Sequence, residues 1–243
     1  AAHARRTFAA EVEYVFQHAL VQETIYAALP EPDRRELHGR VAAAIESLYA
    51  DRLTDFHGML AYHWVRAERL EKAEEHLFKA GEEAARAAAS SEALEFFREA
   101  ARVYLRLHGE AGDPAKKAVL ERNIGLALMN TGQLAASMPH FDRALAHLGD
   151  PIPAGLPAAA LQFAGDALAV GARLLLPSRL FRSNEGRESA RDDIQIRYVR
   201  IKAQSTSDPT RLVFDYFRAV RLLNRTDPAA VPEQVIGLYG GFA

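Results

Sequence analysis

Residues 124–145 read IGLALMNTGQLAASMPHFDRAL, and this stretch decides the fold. Its apolar residues recur at helical spacing on both sides of Thr131-Gly132, a pair typical of a turn. Small residues stand at set positions between large ones, and neighbouring helices approach closely only where side chains are small. The stretch therefore predicts a helical hairpin that packs against further hairpins.

The order of small and large residues in this stretch resembles the tetratricopeptide repeat. The positions that carry the resemblance are Ile124, Gly125, Leu128, Gly132, Ser137, Phe141 and Ala144. Two weaker copies precede it, with matches at Leu60, Trp64, Ala73 and Ala80 and at Ala80, Gly81, Ala93 and Phe97. The two copies overlap, so one helix over residues 70–88 would serve both. The alternative is that alanine-rich amphipathic helices match the repeat by chance.

Helical signals continue along most of the chain. Capping residues and prolines predict helices over 54–67, 70–88, 90–107 and 113–130, and another helix runs from the turn at Thr131-Gly132 to residue 147. After Pro153, residues 156–176 form a nearly apolar helix that we expect to be buried on most sides. A loop over 177–186 and three more helices, starting near residues 187, 209 and 232, complete the pattern. We predict an all-α, tetratricopeptide-like superhelix over residues 51–243.

The first fifty residues differ from the rest. Residues 11–17 (EVEYVFQ) alternate polar and apolar side chains, which predicts a short strand. Residues 18–29 and 31–50 then show helical spacing. A strand that feeds two helices sets residues 1–50 apart as a separate N-terminal region.

Composition excludes several classes of function. The 243 residues are 49% apolar and 26% charged, which is typical of a globular chain. The formal net charge of -2 gives no general electrostatic attraction to nucleic acid or anionic membrane. No cysteine is present, which removes disulfides, thiolate nucleophiles and cysteine-based metal sites.

The sequence offers no catalytic or metal-binding motif. It lacks a P-loop, a His-Glu-x-x-His pair and a Gly-x-Ser-x-Gly elbow. The nine histidines are scattered, and we interpret them as surface or capping groups rather than metal ligands. Neighbouring carboxylates such as Asp192-Asp193 are interpreted as a solvated helix face, because adjacent helical residues point in different directions. We therefore expect no enzyme activity and no bound metal in this chain.

Residues 173–202 carry an excess of arginine. Two interpretations are open for this segment: a site for a phosphate-bearing partner, or a solvated face with some ion pairing, which we favour.

Two stretches in the N-terminal region resemble a larger family. Residues 14–29 (YVFQHALVQETIYAAL) and 34–42 (RRELHGRVA) are similar to a region of bacterial STAND-type signalling ATPases. In that family this region closes a winged-helix domain and precedes tetratricopeptide repeats. The similarity continues through LAYHW at 60–64, EKAEEHL at 71–77 and EALEFF at 92–97. FDRAL at 141–145 and FRAVRLLN at 217–224 look most like the members linked to class III adenylate or guanylate cyclases.

The resemblance implies a role in cytoplasmic signal transduction. Residues 1–50 would be the end of the winged-helix region, and His18 would correspond to a histidine that touches bound nucleoside diphosphate and helps hold the closed state. An equally simple interpretation is that His18 ends a strand and caps the next helix. ATP, ADP and magnesium would bind only in an upstream domain. The partner would be a protein or peptide on the superhelix, or another domain of the same polypeptide.

Two alternatives remain at this stage. The chain could be a free-standing tetratricopeptide scaffold, or the effector-sensing part of a LuxR-type transcription regulator. Because the chain begins without Met and its last predicted helix stops abruptly, we expect it to be part of a longer protein.

Overall fold

The structure is a computed structural model that describes residues 2–6, 12–16, 18–175, 188–204, 209–226, 229 and 231–240. The chain folds as two compact units, residues 1–76 and residues 77–243, and each is described by itself. The predicted loop over 177–186 lies outside the described residues. The predicted boundary near residue 50 stays a prediction.

The described residues contain two strands, eleven α-helices and two short 3₁₀ helices. The strands are β1 (Ala2–Arg6) and β2 (Val12–Phe16), and the 3₁₀ helices are Ala50–Phe56 and Gly109–Ala111. The first six helices are α1 (Ala19–Ala28), α2 (Glu31–Leu48), α3 (His57–Arg66), α4 (Leu70–Arg86), α5 (Ser90–His108) and α6 (Pro114–Asn130). The remaining helices are α7 (Leu134–His147), α8 (Leu156–Leu175), α9 (Glu188–Gln204), α10 (Pro209–Leu223) and α11 (Pro232–Gly240). This content agrees with the predicted all-α class and is consistent with a helical repeat.

The N-terminal strands form one antiparallel hairpin. Ala2 lies opposite Phe16, and Arg6 lies opposite Val12. β2 falls inside the 11–17 segment expected to be extended. The assignment of this region to a winged-helix domain stays a prediction.

Two hairpins in residues 77–243 pack through the same contact. A Cβ added at Gly81 would lie 2.7 Å from Cε1 of Phe97, and a Cβ added at Gly125 would lie 2.7 Å from Cε1 of Phe141. No real Cβ tolerates that distance, so each glycine is required by the ring on the following helix. Within the α4–α5 hairpin and within the α6–α7 hairpin, the two helices therefore pack through equivalent glycine–phenylalanine contacts.

The turns that follow helices α3, α4, α6 and α7 are also equivalent. Each contains one residue with positive φ, and these residues are Glu68, Ala88, Gly132 and Gly149. In each case the next backbone N–H donates to a carbonyl five residues earlier, as in Gln133 to Leu128 at 2.9 Å. This bond satisfies a carbonyl at the helix end. The shared geometry comes from backbone hydrogen bonding, because only two of the four positions carry glycine.

Helix α8 departs from its predicted burial. Leu156, Leu161, Leu168 and Leu175 are between 60% and 87% exposed. The opposite side packs on α10, where the Phe163 ring lies 5.1 Å from that of Phe214. The prediction that residues 156–176 are buried on most sides is therefore wrong for the leucine face. Among the described residues, no helix is both long and apolar enough to cross a bilayer.

Candidate functional site

The sequence-predicted repeat residues lie in the interior. In residues 1–76, the buried members are Leu60, Trp64 and Ala73; in residues 77–243, they are Ala80, Gly81, Ala93, Phe97, Ile124, Gly125, Leu128, Ser137, Phe141 and Ala144. Gly132 is exposed at its turn. These residues shape the hairpins, so a binding surface must come from the side chains around them.

A concave groove of about 350 Å³ lies between helices α4, α5 and α6. Its floor is apolar and includes Ala93, Phe97, Leu126 and Ala127. Its polar lining residues are Glu82, Arg86, Ser90, Arg122, Asn123 and Asn130. An apolar floor with amide and guanidinium groups around it suits a peptide segment, because amides can bond a peptide backbone while the floor accepts a side chain.

Arg122 is held in place at the edge of this groove. Its Nε donates to Oδ1 of Asn123 at 3.3 Å, and its Nη1 donates to Oε1 of Gln195 at 3.2 Å. Burial lowers the pKa of Arg122, and the Asp192 and Glu82 carboxylates oppose that shift. The guanidinium is thus preorganised by α9 while it lines the groove. No sequence pattern singles out Arg122 or Asn123, because their shared groove forms only when the hairpins stack.

A second polar constellation is an ion network buried among helices α7 to α10. Arg197 donates to Asp193 at 2.6 Å, to Asp215 at 3.3 Å and to Asp150 at 2.8 Å. Arg200 pairs with Asp215 and donates to Asp142 at 2.8 Å. The side chains of Arg197 and Arg200 are only 2% and 1% exposed.

This network overturns two sequence interpretations. The predicted solvated face is wrong for Asp193 and, in segment 173–202, for Arg197 and Arg200; Arg191 is exposed, and residues 176–187 lie outside the described residues. Asp193, Arg197 and Arg200 are all buried. The fold brings acids from α10 and from the segment around α7 to these arginines, and these partners are too distant in sequence for local spacing to reveal them.

Two of the three acids beside Arg197 titrate differently. Burial raises the pKa of Asp193 to about 6, and the Asp150 carboxylate adds to the shift while Arg197 opposes it. Burial also disfavours the charge on Asp150, but Arg197 and Arg218 hold the pKa of Asp150 below its ordinary value. Asp193 therefore takes up a proton at a higher pH than Asp150.

A small cavity of about 30 Å³ adjoins this network between α8 and α10. Asp166 lines it and is 1% exposed. Oδ1 of Asp166 accepts from Arg218 at 3.2 Å and from Arg221 at 2.5 Å, whereas Oδ2 has no hydrogen-bond partner within the described part of the chain. The cavity is large enough for a water molecule and too small for an organic ligand.

Four histidines of residues 1–76 form two imidazole pairs. Nδ1 of His38 lies 2.8 Å from Nδ1 of His63, and Nδ1 of His57 lies 3.0 Å from Nδ1 of His76. His38, His57 and His76 are buried. The interpretation of the histidines as surface or capping groups is therefore wrong for these rings. In the described ranges, no group of three or more potential ligands is placed to hold a metal ion.

His18 stands at the start of helix α1. It occupies the N-cap position with extended backbone, its side chain makes no capping hydrogen bond, and it is exposed. The structure thus gives the ring no capping role. Its proposed contact with a nucleotide stays a prediction.

Comparison of the chain with protein-family models, with curated proteins and with solved structures finds no match.

Proposed function

We propose that this chain is a regulatory, protein-binding arm of a larger signal-transduction ATPase, most like those linked to class III nucleotide cyclases. Residues 1–50 would be the end of a winged-helix region, and residues 51–243 a tetratricopeptide-like superhelix. The observation that carries the proposal is the equivalent packing of Gly81 on Phe97 and Gly125 on Phe141. Stacked hairpins of this kind present a long concave surface to a partner.

The groove between α4, α5 and α6 is the surface on which we expect the partner. Phe97 and Leu126 offer an apolar floor, and Arg122 and Asn123 offer positioned donors. A protein or peptide bound there would favour one state of an upstream ATPase by its differential affinity for the two states. ATP, magnesium and any cyclase chemistry belong to that upstream part, so this chain itself is not the enzyme. The proposed location is the cytoplasm.

The first test is the mass of the native polypeptide that contains this segment, detected with an antibody raised against it. A species several times heavier than 26.8 kDa that binds ATP is expected. A species close to 26.8 kDa would contradict the ATPase arm and favour the free-standing scaffold. A heavy species with a helix-turn-helix domain in place of a cyclase would favour the transcription regulator.

The second test places Arg122→Ala in that polypeptide and measures ATP turnover with and without cellular extract. The variant should lose regulation and keep basal turnover. Arg106→Ala is the matched control, because Arg106 is exposed on α5 and does not line the groove. Equal regulation in both variants would exclude the groove as the surface that binds the partner.

A further inference from the structure

Helix α3 is tied to its neighbours by two imidazole pairs. His63 near its end meets His38 of α2, and His57 at its start meets His76 of α4. Both contacts join Nδ1 to Nδ1, at 2.8 and 3.0 Å. Such a contact is a hydrogen bond only if one of the two nitrogens carries a proton and the other offers a lone pair. Each pair therefore tolerates at most one imidazolium.

The two pairs lie in different electrostatic surroundings. Nε2 of His76 is 3.3 Å from Oε1 of Glu46, a carboxylate that stabilises one positive charge on the His57–His76 pair. Glu46 also accepts from Lys72 at 2.7 Å and from Trp64 at 3.1 Å.

The His38–His63 pair has a neutral neighbour in the corresponding place. Nε2 of His38 lies 2.8 Å from the Tyr26 hydroxyl. Tyr62 meets the His38 ring edge-on, and the Arg66 guanidinium lies over the Tyr62 ring.

Burial and the Arg66 charge oppose protonation of the His38–His63 pair. Burial lowers the pKa of His38, with His63 and Arg66 adding to the effect; burial and Arg66 likewise lower the pKa of His63. Glu23 of α1 lines the pocket in front of the pair. Arg34 lies over Tyr26, Arg35 pairs with Glu68 at 2.8 Å, and Arg52 of the 3₁₀ helix lies over Tyr49. These last three arginines thus contact side chains other than the paired imidazoles.

We propose that the His38–His63 contact is an acid-sensitive latch between helices α2 and α3. At neutral pH the neutral pair holds the helices together through one hydrogen bond. When both rings become imidazolium, two donors and two like charges face each other, and the contact opens. The His57–His76 pair stays closed over the same range because Glu46 compensates the first charge. The device goes beyond the proposed function and does not depend on it.

Tryptophan fluorescence can report the opening of the His38–His63 contact. The chain's single tryptophan, Trp64, is 5% exposed on α3 and adjacent in sequence to His63. The emission maximum of Trp64 is measured between pH 7.5 and pH 5, a range that leaves most carboxylates of ordinary pKa ionised. Wild type should show a red shift with a midpoint below the ordinary histidine value of about 6.5.

Matched variants separate the latch from general acid sensitivity. His38→Gln leaves one imidazole without an opposing charge and should reduce the shift by more than half. His57→Gln changes the other pair and should retain the shift. The proposal is overturned if wild type shows no shift, if His38→Gln shifts as wild type does, or if His57→Gln removes the shift equally.

Hydrogen exchange on wild type tests the latch without any substitution that could prevent folding. After correction for intrinsic rates, acidification from pH 7.5 to 5.5 should lower protection in residues 31–66 and leave residues 114–147 unchanged. Unchanged protection in 31–66, or an equal loss in both segments, would overturn the proposal.

Discussion

Residues 1–76 and residues 77–243 both bury polar side chains, but they compensate them by different means. The first unit pairs imidazoles with one another, and the Glu46 carboxylate lies beside the His57–His76 pair. The second unit buries permanent guanidinium charges among aspartates, with Arg197 and Arg200 almost fully enclosed. A buried imidazole can lose its charge to avoid desolvation, whereas a buried arginine cannot and must be paired. The first unit should therefore respond to acid, and the second should depend on every member of its network.

The largest effect is expected from Arg197→Leu. The substitution leaves the buried Asp193 without its partner at 2.6 Å, so it should lower the free energy of unfolding by about 3–5 kcal/mol. Chemical denaturation followed by far-UV circular dichroism measures the loss. The control is Arg102→Leu, an exposed arginine paired with Glu99, which should cost less than about 1 kcal/mol. Similar losses in the two variants would show that the buried network stabilises the fold no more than an exposed ion pair does.

Steric fit rather than charge holds the two helices of each hairpin together, and Gly125→Ala tests this. The added methyl group would collide with the Phe141 ring, so the substitution should cost about 1–3 kcal/mol. Gly165→Ala in α8 is the matched control, because no heavy atom lies within 4 Å of its added Cβ. That variant should gain about 0.5–1 kcal/mol through lower backbone entropy in the unfolded chain. A loss in the second variant as large as in the first would refute the steric explanation.

In the first unit, Glu46→Gln should lower stability by about 1–2 kcal/mol at neutral pH. Burial disfavours the charge of Glu46, but hydrogen bonds from Lys72 and His76 hold the pKa of Glu46 below its ordinary value. The native state therefore binds fewer protons than the unfolded state near pH 4, and the contribution of Glu46 is present above that pH and lost below it. Denaturation of both proteins at pH 7 and pH 4 should show their difference shrinking on acidification. A constant difference would exclude ionised Glu46 as the source.

Asp193→Asn should have a smaller effect with the opposite sign of pH dependence. Because the folded pKa of Asp193 is about 6 and its ordinary value is 3.8, the native state binds more protons between those values. Wild type should therefore gain stability relative to the variant as the pH falls from 7 to 4. Asp150 interacts with Asp193, so the measured pH dependence belongs to the pair of carboxyl groups. A pH-independent difference between the two proteins would contradict the raised pKa.

The smallest effect is expected from His18→Ala. The ring is exposed and makes no capping bond, so the free energy of unfolding should change by less than about 0.5 kcal/mol. Thermal denaturation of the chain measures this. In the parent polypeptide, altered nucleotide exchange in the same variant would support the predicted nucleotide contact, and unchanged exchange would oppose it.

Local pattern predicted the helices well because helix formation depends on residues three or four apart. The predicted helices over 90–107 and 113–130 match α5 (Ser90–His108) and α6 (Pro114–Asn130) within one residue at each end. The apolar sequence of α8 also predicted burial on most sides, but the leucines of this helix face outward. Amphipathic spacing identifies a helix, but the availability of a neighbour decides which face is covered.

The amino-acid sequence by itself determined the all-helical class, the positions of the turns, and the small residues at which Phe97 and Phe141 pack. These features rest on near neighbours in the chain, and their steric rules are the same in any hairpin. Only the tertiary structure decided that His38 meets His63, that Arg197 enters an acidic network, and that Arg122 lines a groove. His38 and His63 are 25 residues apart in sequence, Arg197 and Asp150 are 47 apart, and Arg122 and Gln195 are 73 apart. The energy of a buried charge or imidazole depends on what surrounds it in space, and that environment exists only once distant helices have packed.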